Sequence, residues 1–168
     1  MSKLYTIFGE EQTLGTGNVL AAFQTNSGVL AGSQVAIRQI DIGQHDTTTA
    51  AMIRAAMSTR DTAGTLTMTA FTPRAFSPVT GPASTLSGNT APAGGVARVG
   101  INSSADSGGA YTDHYVMNFS NLNGFGWAPT LPGGEIIVPP STVWCLRLLA
   151  TPGTATGWSW CIIIEELT

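Results

Sequence analysis

The end of the chain alternates strictly. Trp144, Leu146 and Leu148 interleave with Cys145, Arg147 and Leu149, and further on Trp158, Trp160, Ile162 and Ile164 interleave with Ser159, Cys161, Ile163 and Glu165. Successive side chains of an extended strand point to opposite faces, so this is the pattern of two pleated strands, each with one bulky apolar face. Pro152, Gly153 and Gly157 fall between them and mark a turn. The expectation is a terminal β-hairpin lying on a core, with its reverse face toward water or a neighbour.

The rest of the chain repeats the theme. Strands are predicted near Lys3 to Phe8, Asn18 to Gln24, Gln34 to Ile42, Ala51 to Ser58, Thr65 to Phe71, Val96 to Asn102, Ala110 to Phe119 and Glu135 to Val138. Turn signals such as Gly15-Thr-Gly17, Asn26-Ser-Gly28, Ser107-Gly-Gly109 and Pro139-Pro140 separate them. Residues 47–57 also read as a short helix capped by Asp46, because alanine and methionine favour helix; a strand from Ala51 is the preferred reading. About ten short strands in 168 residues suit one all-β domain, an antiparallel β-sandwich of jelly-roll type spanning 1–168. Thr72 to Gly95, rich in Pro, Ser, Thr, Gly and Ala, breaks the rhythm and is predicted to form a long loop or arm, with Phe76 as its anchor.

Charged residues make up only 10% of the chain, against about 25% in ordinary soluble domains, and Lys3 is the single lysine. Such a surface is suited to burial between chains. The net charge of −3 and the scattered arginines give no basic stripe, so no nucleic-acid partner is expected. No apolar run approaches the roughly 20 residues of a membrane span, and the N-terminal segment lacks a signal-peptide apolar region. Synthesis in the cytoplasm and no membrane contact are the expectations.

A search for chemistry yields no catalytic constellation. His45-Asp46 and Asp113-His114 are neighbours whose side chains point to opposite faces of a strand. A nucleophile elbow, a phosphate loop and metal-ligand spacing are all missing from the sequence. No enzyme activity and no cofactor or metal are expected. Trp144, Trp158 and Trp160 fall on apolar faces and belong to the core, whereas Tyr111 and Trp127, beside glycine-rich loops, remain open as a sugar platform. In a hairpin centred on Gly153, Cys145 and Cys161 would face one another; reduced thiols are expected in a cytosolic setting. Arg147, Ile163 and Glu165 would share the reverse face, either as a surface ion pair or as a seam against another subunit.

Several segments, in order, resemble a known family: Tyr5-Thr-Ile-Phe8, Val35-Ala-Ile-Arg-Gln-Ile-Asp-Ile42, Ile53-Arg54, Phe71-Thr-Pro73, Val138-Pro-Pro140, Cys145-Leu-Arg-Leu-Leu-Ala150 and Ile162-Ile-Ile-Glu-Glu-Leu167. They are similar to the small head proteins of tailed bacteriophages, the cement or decoration proteins. That resemblance implies a jelly roll, a homotrimer on the outside of the virion capsid, and a clamp on neighbouring subunits of the major capsid protein. It implies no active site. On this reading the candidate capsid contacts are Met1, Ser2, Lys3 and Phe76, and the candidate trimer seam is Arg147, Ile163 and Glu165. A carbohydrate- or receptor-binding sandwich, or another tail or head-fibre component, is the alternative.

Overall fold

The computed structural model describes residues 3–14, 18–25, 34–45, 47–61, 63–76, 83–86, 99–131 and 133–167. These form twelve strands and, among the described residues, no helix: β1 (Lys3–Gln12), β2 (Val19–Gln24), β3 (Gln34–Gln44), β4 (Met52–Arg60), β5 (Thr65–Ala70), β6 (Arg74–Ala75), β7 (Val99–Ser107), β8 (Tyr111–Ser120), β9 (Phe125–Trp127), β10 (Ile136–Val138), β11 (Val143–Leu148) and β12 (Trp158–Leu167). One sheet, A, runs β10-β3-β12-β1-β6, with β9 also on β3; the other, B, runs β5-β7-β2-β11-β4-β8. All pairings are antiparallel.

Stripped of insertions, the two layers are β1-β12-β3-β10 and β2-β11-β4-β8. That interleaving of early and late strands is the double Greek key of a jelly roll, so the sequence expectation of a jelly-roll sandwich holds. Between the layers pack Ile7, Ile37, Ile40, Trp158, Ile162 and Ile164 from sheet A and Leu20, Phe23, Met57, Trp144 and Leu146 from sheet B. Residues 52–60 are strand, not helix.

The terminal hairpin is not formed. β11 pairs with β2 and β4 in sheet B, and β12 with β1 and β3 in sheet A. The connection crosses the sandwich: the Leu149 amide donates to Arg54 O at 2.8 Å on one side, and the His45 amide to Gly157 O at 2.8 Å on the other. A period of two reveals which face of a strand is apolar but not which sheet the strand joins, and residues 149–157 are long enough to span a gap of about 10 Å.

β5 and β7, inserted between β4 and β8, extend sheet B beyond β2. At Asn102, whose φ is +53°, β7 bends, and its outer half rolls back over the outward face of the sheet. Asp106 thereby reaches Arg60 on β4, and Leu66 of β5 is buried with Val19, Ala22, Val143 and Cys145 in a second small core.

Part of the long segment from Thr72 to Gly95 is also tied down. β6 adds to the edge of β1, and residues 83–86 are held by Glu166 at the end of β12. The Ser84 hydroxyl donates to Glu166 Oε1, the Thr85 amide donates to the same oxygen at 3.1 Å, and the Thr85 hydroxyl donates to Oε2 at 2.7 Å. Leu86 follows into the core. Glu166 is itself buried, so removing it leaves buried donors without their acceptor. Glu166→Ala should cost about 2–4 kcal/mol, with faster proteolysis between Phe76 and Val99, and Glu166→Gln should recover part of the loss. Unchanged cleavage in Glu166→Ala would show that the carboxylate does not anchor the segment.

Candidate functional site

The outward face of sheet A carries a trough. Phe8, Cys161 and Asp41 lie opposite one another across β1, β12 and β3, and Asp41 faces Gly126 on β9. One row on, Ser159 faces Gly43. The middle of the sheet therefore bears small groups, flanked by Phe8 and Glu10 on one side and by the turn carrying Asn123 and Phe125 on the other, which leaves an open groove of about 620 Å³.

Two backbone requirements shape it. Gly124 has φ +67°, and a Cβ there would stand 3.0 Å from Ile42 O, so only glycine lets this turn approach β3. A Cβ at Gly9 would fall 2.4 Å from the Trp160 ring; the indole lies beneath β1 and closes the floor. Its Nε1 is buried and has no hydrogen-bond partner among the described residues. At the far end Glu11, with φ +51°, donates its amide to Ser159 Oγ at 3.1 Å. Asp41 Oδ2 accepts from Gln39 Nε2 at 2.6 Å.

The outward face of sheet B is built differently. The Arg60 side chain is fully buried, donating from Nη2 to Asp106 Oδ1 at 2.9 Å and from Nη1 to Asp61 O at 3.0 Å. Tyr111 donates to Asp106 Oδ2 at 2.6 Å, and Arg147 lies over its ring at 4.3 Å. Burial and the bond to Asp106 push the Tyr111 phenol up. Arg147 also donates to Ser58 Oγ at 3.1 Å and to Asp113 Oδ1 at 2.7 Å. Burial works against the Asp113 carboxylate, but the bonds from Ser58 and Arg147 outweigh it and hold its pKa below the ordinary value. Apart from Arg60 Nε, which is buried without a hydrogen-bond partner among the described residues, these groups satisfy one another, which makes this face a structural lid.

The candidate seam residues are split by the same topology. Arg147 belongs to the outer face of sheet B, whereas Ile163 and Glu165 belong to that of sheet A, where Arg38 Nε donates to Glu165 Oε2 at 2.7 Å and Nη1 to Glu135 Oε1 at 2.6 Å. No Arg147–Glu165 pair forms, because the hairpin that would have joined them does not exist. Cys145 and Cys161 are likewise on opposite layers and are free thiols. Cys145 is buried, and desolvation pushes its thiol up to about 12; half-buried Cys161 is raised by burial and by Asp41.

Of the candidate capsid contacts, Met1 and Ser2 lie outside the described residues. Lys3 and Phe76 are brought close together: the Phe76 amide donates to Leu4 O at 2.9 Å, and the Phe76 ring is exposed. Trp144, Trp158 and Trp160 are core residues, as expected. Tyr111 is enclosed under the arginines, while Trp127 stays half-buried with its ring 6.4 Å from that of exposed Tyr115.

No protein-family model matches the chain, and no curated protein and no solved structure is significantly similar to it. The trough escaped sequence reasoning because its lining residues come from four separate segments. The Glu166 anchor left a readable signal: extending the alternation Ile162, Ile164 by two places puts a carboxylate on the core side of β12, where it must find donors.

Proposed function

We propose that this chain is a structural protein of a tailed-phage virion, made in the host cytoplasm and bound as a homotrimer to the outer surface of the capsid, where it cements neighbouring major capsid subunits. One observation carries the reading. A surface poor in charge leaves large apolar side chains in solvent at several places: Met52 and Leu131 are each 72% exposed, Phe76 54% and Ile137 47%. Low charge with exposed apolar side chains suits a surface that is covered in an assembly. The jelly roll and the resemblance of several segments, in order, to phage decoration proteins support the same reading.

The mechanism is mass action. A ligand that binds assembled shell and not separated subunits stabilises the shell by about 2.7 kcal/mol per site at a hundredfold excess over Kd, and trimeric attachment multiplies the gain. Heads lacking the protein should melt at a higher temperature once it is added, and Phe76→Asp should weaken that rise. Heads whose melting does not move would sink the proposal.

The pairing of Tyr115 with Trp127 favours a second reading, a glycan-binding module. Since the other three tryptophans are buried, iodide quenching reports on Trp127 alone. Relief of quenching by a capsule or lipopolysaccharide glycan would favour this reading over the first.

A further inference from the structure

One edge of sheet B is open. β8 ends the strand order, and among the described residues it pairs with β4 alone. The ladder is fixed at both ends, where the Asn121 amide donates to Ala51 O and the Asp61 amide to Ala110 O, each at 3.1 Å. Residues bonded to the neighbour alternate along an antiparallel ladder with residues turned away from it. Tyr111, Asp113, Val116, Asn118 and Ser120 therefore turn their backbone groups away from β4, and His114 is the extra residue of a bulge between them. Long edges are commonly blunted by lysine or proline, and β8 has neither. Tyr115 and Val116, on opposite faces of the strand, are 41% and 42% exposed. A partner lying on one face of the sheet would cover one of them, whereas a strand running along the edge covers both.

Register and charge select β8 of a second copy as that strand. Laid antiparallel against itself over its whole length, β8 has its two-fold axis at Val116: Val116 faces Val116, Asn118 faces Asp113, and Ser120 faces Tyr111 of the second copy. Every residue turned away from β4 then meets another of the same kind, and no like charges oppose one another. Arg54 stands opposite Asn118 on β4, exposed, with its guanidinium bonded to no described residue. In this register it shares a row, on the same outward face, with Asp113 of the second copy, two strands away and about 10 Å between Cα atoms, a span that the two side chains bridge. Within its own copy Asp113 accepts from Ser58 and Arg147 through Oδ1, which leaves Oδ2 for the incoming guanidinium.

We propose that a second copy of this chain pairs with β8 about a two-fold axis at Val116, joining two copies of sheet B into one continuous sheet held by two Arg54–Asp113 ion pairs, with Tyr115 of each copy packed on Met117 of the other. The contact rests on this edge alone and not on the capsid reading. It joins copies two by two, whether these are single chains or members of neighbouring trimers.

Cysteine cross-linking reads the register directly. In a Cys161→Ser background, where the remaining thiol, Cys145, is buried, Val116→Cys sets two thiols face to face in a hydrogen-bonded pair, about 5.5 Å between Cα atoms and within reach of a disulfide. Asn118→Cys sets its thiol opposite Asp113 and about 14 Å from its own counterpart. Under mild oxidation the first variant should give a covalent dimer, and the second should react at least about tenfold more slowly. Both positions are exposed, so an unchanged urea midpoint confirms that each variant is folded. Adding Arg54→Glu to Val116→Cys should slow the cross-link at least about tenfold, since two attractions become two repulsions. In sedimentation, Val116→Lys should abolish pairing of the otherwise native chain, because two lysines would meet on the axis. No cross-link in Val116→Cys, equal rates at 116 and 118, or a rate untouched by Arg54→Glu would each overturn the proposal. Head melting is a separate matter: heads unmoved by wild type would remove the capsid reading and leave this pairing in place.

Discussion

Arg60→Ala should destabilise the fold by about 3–5 kcal/mol, the range for removing one member of a buried ion pair. The guanidinium has no solvent exposure, and it joins β4 to the rolled-back end of β7 through Asp106. Space is reserved for it: a Cβ at Gly109 would stand 2.2 Å from the guanidinium carbon. Truncation leaves the Asp106 carboxylate with Tyr111 as its remaining donor among the described residues and opens a void under the lid formed by β5 and β7. Much of the cost comes from stranding that carboxylate, so the pair Arg60→Met, Asp106→Leu should recover most of it. Urea unfolding of the two single variants and the double variant gives the coupling directly. Should Arg60→Ala cost less than about 1 kcal/mol, the lid must be held by Leu66 and its apolar neighbours instead.

The contrast between what the chain disclosed and what it hid has a physical cause. Alternation fixes the face of each residue, which is why the strands, the buried tryptophans and the sandwich class could be read directly. Pairing is a long-range property: β12 lies between β1 and β3, and its nearest strand in sequence, β11, lies in the opposite sheet. A two-residue Asn-Gly turn would have fixed a hairpin; the longer connection with Pro152 and Gly153 left both outcomes open. β6 and β9 have two and three residues, too few to show a period. Both lie at sheet edges, recruited by neighbours and not by their own pattern. The two outer faces were hidden for the same reason. Nothing local says that Asp106 will meet Arg60, or that Gly126 will stand beside Asp41.

Trp144→Ala should cost about 3–5 kcal/mol, as large-to-small changes at buried tryptophans do. The indole stacks on Phe23 of β2 with ring centroids 5.3 Å apart and an interplanar angle of 26°, and it is 1% exposed. It stands at the centre of sheet B, with β2 on one side and β4 on the other, so the void left by alanine cannot fill without moving both neighbours. Trp144→Phe should behave differently. Nε1 has no acceptor among the described residues, so wild type already carries the penalty of a buried unsatisfied donor, about 1–3 kcal/mol. Phenylalanine removes that penalty while creating a smaller cavity, and the two effects oppose one another. The phenylalanine variant should therefore lie within about 1.5 kcal/mol of wild type in urea unfolding, well separated from alanine. If the two variants lose the same stability, the indole is held by an acceptor, such as buried water, and its Nε1 is part of the polar structure of the core.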